Sequence, residues 1–190
     1  MTVQRADAPT RGRRRVRRQR ILVVSGGPTE DGYLRGFARS IGNRSVELTL
    51  KVGPAGALQM IEHARRLIDH QNDDFDEIWC VADVDDYDIV AAGKRATELG
   101  VHLLVSNPCF ELWLLLHFER CTTRLNRCRD AERLLRRHLP AYRKAALRFR
   151  DFEAGLAEAC DRAKQSENAA ASYPNPSTGM WRLVERMGGG

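Results

Sequence analysis

Glu77-Ile78-Trp79-Cys80-Val81-Ala82-Asp83-Val84-Asp85-Asp86-Tyr87-Asp88 carries an apolar run straight into a cluster of acids. Such a run reads as a buried strand that delivers carboxylates to a sheet edge. Four carboxylates fall within residues 83–88, and they repel one another unless something neutralises them. In an extended chain Asp83 and Asp85 point to the same side. Two hard oxygen donors then stand together, as Mg²⁺ or Mn²⁺ requires, with Asp86 able to assist. The spacing is not that of an EF-hand, because the required Gly and the distal Glu are missing. The plainer reading of the same residues is an acidic turn that caps the following helix.

Upstream, Ile21-Leu22-Val23-Val24 is a short apolar strand that stops at Ser25-Gly26-Gly27-Pro28. Thr29 reads as an N-cap, with Glu30 and Asp31 in the first turn of a helix that Gly42-Asn43 ends. Alternation at Val46, Leu48, Leu50 and Val52 predicts a second strand. Residues 55–71 and 87–99 read as helices, the latter capped by Gly100, and 101–105 as a fourth strand. Strands alternating with helices predict an α/β fold around a mainly parallel sheet. In such sheets ligands bind beyond the carboxyl ends of the strands. The polar turns at 25–30 and 83–88 both lie there. Glu30 is therefore a candidate ligand or general base, and favourable charge at the helix start is its ordinary alternative. The Gly-rich turn lacks a Walker lysine and the GxGxxG pattern, which excludes a standard nucleotide loop.

Downstream, Ser106-Asn107-Pro108 predicts a helix start, with Asn107 as cap and Pro108 at the first position. The helix runs to Phe118 and is apolar almost all round. Glu111 on it either reaches the sheet edge or finds a basic partner, and His117 reads as a core or boundary histidine. Residues 129–138 and 142–170 read as basic or mixed helices, 172–177 as a turn, and 178–187 as a last helix. The expected organisation is an Arg-rich tail (1–19), an α/β core (20–119) and a helical extension packing on it (120–190).

Charge is unevenly distributed. Residues 1–20 carry eight Arg against one Asp, residues 21–119 are acidic, and residues 120–150 carry eleven basic side chains against two acidic ones. Basic arms around an acidic body suit a polyanion held by the arms. Arg133, Arg136, Arg137, Arg143 and Lys144 are the candidate phosphate contacts, although Arg-rich helices are also simply well solvated. The five cysteines are odd in number and without zinc-finger spacing. They read as reduced thiols in a cytoplasmic protein. No apolar run approaches membrane-spanning length.

At these residues the chain resembles the RloB-like family, which is related to Toprim domains and found in bacterial restriction-modification and abortive-infection loci. The resemblance rests on Ile21 through Glu30 with Tyr33, on Val81-Ala82-Asp83-Val84-Asp85-Asp86, on Ser106 through Phe118, and on Asn175-Pro176-Ser177-Thr178. It implies a Toprim-like small parallel sheet flanked by helices. It also implies Mg²⁺ (or Mn²⁺) on Asp83 and Asp85, and phosphodiester chemistry in anti-phage defence, in the company of an ATPase partner. The glutamate that Toprim enzymes place after the first strand falls on Ser25 here. Either Glu30 or Glu111 substitutes for it, as catalytic residue of a nuclease, or the protein binds nucleic acid or a partner without cleaving. A phospho-receiver is the weakest reading, because Ser106-Asn107-Pro108 stands where its lysine belongs.

Overall fold

A computed structural model describes residues 17–43, 45–54, 56–71, 74–84, 89–167 and 173–188. Four parallel strands form the centre: β1 (Gln19–Ser25), β2 (Val46–Val52), β3 (Glu77–Asp83) and β4 (His102–Asn107). A short β5 (Ser177–Thr178) adds to β4 in the antiparallel sense, and the order is β2-β1-β3-β4-β5. Helices α1 (Pro28–Ile41), α2 (Ala57–Gln71) and α3 (Ile89–Leu99) are the crossovers. The fold is α/β.

Both faces of the sheet are covered, which is why its central strands are continuous apolar runs. Ile21, Val23, Trp79, Val81 and Leu104 face α1 and the later helices. Leu22, Val24, Ile78, Cys80, Ala82 and Val105 face α2 and α3. The later helices are α4 (Phe110–Leu116), α5 (Cys128–His138), α6 (Leu156–Ser166) and α7 (Met180–Gly188). Buried residues from α5, α6 and α7 thus share one core with Ile21 and Val23 of β1, and every residue of α4 is buried. Gly42 and Gly100 end their helices with φ of 54° and 65°, a conformation that favours glycine.

Several expected boundaries moved. Gly27, not Thr29, is the N-cap of α1, and Pro28 takes the first position. Asn107 does not cap a helix. It ends β4 opposite Ser177, and its side chain donates to the Tyr173 carbonyl (2.9 Å) and accepts from Asn175 Nδ2 (2.9 Å). A tertiary partner thus claimed the side chain that a local cap would have used. Cys109 is the N-cap instead, after a cis Asn107–Pro108 bond. The helix expected over 142–170 is three 3₁₀ turns (Lys144–Ala146, Phe149–Asp151, Glu153–Gly155) followed by α6. Phe149 and Phe152 break the regular rise because both rings pack edge-on against Tyr33, at 5.2 and 6.2 Å. Expected residues 1–16 of the Arg-rich tail lie outside the described residues. Among the described residues no helix is long and apolar enough to cross a membrane.

The five-thiol expectation is corrected too. Cys109 and Cys128 form a disulfide with Cα atoms 5.5 Å apart, while Cys80, Cys121 and Cys160 are free and buried. The bonded pair lies 19 positions apart in the sequence. Only the folding of α5 against α4 brings them together, so spacing alone gave no sign of it.

Candidate functional site

The strand order reverses direction between β1 and β3, since β1 leads outward to β2 on one side while β3 and β4 follow on the other. At such a switch point the two succeeding turns diverge and leave a crevice beyond the strand ends. A cavity of about 290 Å³ lies there, lined by Gly26, Gly27, Glu30, Asp83, Glu111 and Lys144, among others. Three expected acids from separate elements therefore meet in one place. Asp83 comes from the last position of β3, Glu30 from the first turn of α1, and Glu111 from the first turn of α4. Asp85 and Asp86 lie outside the described residues.

Gly27 lies close under the Glu30 carboxylate. A Cβ there would sit 3.0 Å from Glu30 Oε2, because the carboxylate folds back over the turn. Glu30 is buried. Burial raises its pKa and the Glu111 charge adds to this, while a backbone hydrogen bond and Lys144 pull the other way. A carboxyl group raised in this way holds its proton more readily than a free carboxylate does. Ser25, the position of the expected Toprim glutamate, is buried at the end of β1.

Glu111 is only 2 % exposed and is held from several sides. Its Oε1 accepts from Lys144 Nζ (2.8 Å) and from the Tyr142 hydroxyl (3.2 Å). Its Oε2 lies 2.9 Å from Cys128 Sγ. Lys144 also pairs with Glu132 at 2.9 Å. Burial works against the Lys144 ammonium, but the two carboxylates outweigh it and raise its pKa. Burial and the Glu111 charge raise the Tyr142 hydroxyl as well. A basic partner for Glu111 was one of the two readings of the sequence, but Lys144 could not be named, because the two lie 33 positions apart and the intervening segment gives no register. The Lys144→Met change leaves the buried carboxylate without its cation. With Lys144 half exposed, the expected loss is about 2 kcal/mol rather than the full buried-pair cost. Adding Glu111→Gln should recover most of it. Equilibrium unfolding of the four chains checks this, and strictly additive losses would show that the pair is not coupled.

The remaining basic candidates divide. Ala131 and Leu135 face inward on α5, whereas Arg129, Arg133, Arg136 and Arg137 are exposed on its outer side. Arg133 also reaches Asp130 (3.5 Å), and Arg136 lies over the Tyr142 ring (5.8 Å). Arg143 is exposed just before the first 3₁₀ turn. The structure therefore presents an arginine stripe on a helix whose first residue, Cys128, touches Glu111. Lys144 stands apart from it, inside the cavity.

His117 is not part of the site. Its Nδ1 meets the Phe152 carbonyl at 2.8 Å and its Nε2 meets the Tyr33 hydroxyl at 3.1 Å. A carbonyl only accepts, so Nδ1 carries the proton and Nε2 accepts from Tyr33.

Fold and site define a doubly covered α/β protein with an acidic cavity at the switch point of its sheet. The chain belongs to the RloB-like protein family, whose family model matches residues 21–187. A search of the curated proteins finds no match.

Proposed function

We propose that this protein is a Mg²⁺-dependent, phosphodiester-cleaving protein of bacterial anti-phage defence, in which Glu30 does the work of the glutamate missing at Ser25. The observation that carries this reading is the single cavity holding Glu30, Asp83 and Glu111 at the switch point. Carboxylate oxygens are the donors that Mg²⁺ and Mn²⁺ select, and a few of them with water suffice. The residues present therefore fit such an ion. Asp83 would hold it, with Asp85 and Asp86, which follow it in the sequence. A divalent ion held there would supply positive charge toward a phosphoryl oxygen.

The chain's own groups divide the remaining tasks. Lys144 neutralises Glu111, and Glu30 and Asp83 are the other two carboxylates that line the cavity. Glu111 Oε1 is held by Lys144 and Tyr142, and Glu30, whose pKa burial raises, is the carboxyl group assigned to move the proton. The arginine stripe of α5 holds the nucleic-acid backbone without reading its sequence. Such contacts make binding fall steeply with salt.

The test is cleavage of phage DNA and of total RNA by the purified chain, with Mg²⁺ or Mn²⁺ titrated in. Metal-dependent cleavage that Asp83→Ala and Glu30→Gln each reduce by a factor on the order of 100 or more is the expected result. Bound metal with intact nucleic acid would assign the cavity to binding or signalling alone, the reading that the buried Ser25 favours.

A further inference from the structure

Next to the cavity lies a second donor set of different chemistry. Cys109, Glu111 and Cys128 each place one ligand atom within 4.8 Å of the others. Cys109 is fully buried at the start of α4, and Cys128 is half-buried at the start of α5. The disulfide leaves Cys128 Sγ without a proton, yet the sulfur lies 2.9 Å from Glu111 Oε2. Two electron-rich atoms face each other there with nothing positive between them. The other carboxylate oxygen is fixed by Tyr142 and Lys144. Hydrogen bonds on one oxygen are the usual way to aim the other at a metal. Lys144 Nζ also stands 3.9 Å from Cys128 Sγ, and a nearby cation favours the thiolate.

We propose that the reduced chain binds one Zn²⁺ ion through Cys109 Sγ, Cys128 Sγ and Glu111 Oε2, and that the Cys109–Cys128 disulfide is the metal-free, oxidised form of this site. Two thiolates and a carboxylate are a borderline-soft set that selects Zn²⁺ over Mg²⁺. Three protein ligands leave a fourth position of the tetrahedron open. Glu111 also lines the switch-point cavity, so the proposed site borders it through this carboxylate. Reduction by a phosphine breaks the S–S bond, forms two thiols and leaves the phosphine oxide, with water supplying oxygen and protons. Zn²⁺ then displaces the two thiol protons to solvent. Where thiols are kept reduced, the metal-binding form is the one present. This inference concerns different ligands from the Asp83 site and stands or falls without it.

The experiment uses the full chain, reduced with a phosphine and desalted under argon, and titrated with Co²⁺ as an optical probe before Zn²⁺ is added. The expected result is one equivalent of Co²⁺ with a thiolate-to-metal charge-transfer band in the near ultraviolet, abolished by Zn²⁺. The band should be absent from the oxidised wild type, which needs no substitution and so carries no folding ambiguity. Cys128→Ser should weaken Zn²⁺ binding by more than the roughly 10–100-fold that losing a supporting hydrogen bond costs. Glu111→Gln should weaken it while keeping the band. No band in the reduced chain overturns the proposal. So does a band that persists in the oxidised chain or in Cys128→Ser.

Discussion

Gly155→Ala is expected to destabilise the protein by about 3 kcal/mol or more, whereas Gly32→Ala should be neutral or stabilise it by about 0.5–1 kcal/mol. Gly155 ends the last 3₁₀ turn and caps α6. A Cβ there would fall on the carbonyl group of His117, nearer to its oxygen than any real side chain stands. The obstacle is backbone, so no rotamer change relieves it, and the end of α4 must move. That end also carries the His117 ring. Gly32 sits within α1 with nothing inside 4 Å of an added Cβ. Alanine there restricts the unfolded chain and improves helix propensity without a clash. Denaturant midpoints of the two variants decide the matter. Equal midpoints for Gly155→Ala and the wild type would mean that α6 is not held against α4 as described.

The second large effect is one of pH. Burial lowers the His117 pKa from 6.5 to about 4, and the charge of Arg162 adds to this, against the opposing bond to Phe152. The folded pKa lies below the unfolded one. Between these values the unfolded chain binds the proton and the native chain does not, so native stability falls as the pH is lowered. The contribution is complete above pH 6.5, is lost as pH drops toward 4, and amounts to about 3 kcal/mol at about 1.4 kcal/mol per unit. Carboxylates titrate in part of this range as well, so the comparison must be with a variant. His117→Gln keeps one donor and one acceptor but no titrating group. Its stability should fall less steeply from pH 7 to 4 than that of the wild type. Parallel curves for the two would sink the assignment of the effect to His117.

The sheet was legible because its strands are apolar on both faces and end in polar turns. Ile21–Val24 and Ile78–Ala82 could be placed, and so could Glu30 and Asp83 at the carboxyl edge. Glu111 was legible as an odd carboxylate on a buried helix, but its partners were not. Tyr142, Lys144 and Cys128 reach it through contacts between α4 and later segments, and no local period encodes such contacts. The same limit explains Asn107. Its residue type fits a helix cap equally well, and only its pairing with Asn175 and Tyr173 distinguishes the two outcomes. Ser177-Thr178 escaped notice as a strand because two residues carry no alternation to read. The 3₁₀ turns of 144–155 were hidden by helix-forming Arg and Ala, whose weak propensity yielded to the demand of two phenylalanines for the Tyr33 cluster.

The addition of β5 to the outer edge of β4 has a consequence for the order of events during synthesis. The switch-point acids and the arginine stripe leave the ribosome before residues 173–188. Until those residues arrive, β4 is an open edge with its ladder groups unpaired. The apolar face that Met180, Leu183, Val184 and Met187 later cover is then wet. A chain stalled in this interval would have a charged surface able to attract nucleic acid and an edge able to recruit another strand. Sealing of the fold is thereby assigned to α7, so that a chain ended before it is a candidate for degradation rather than a smaller working protein.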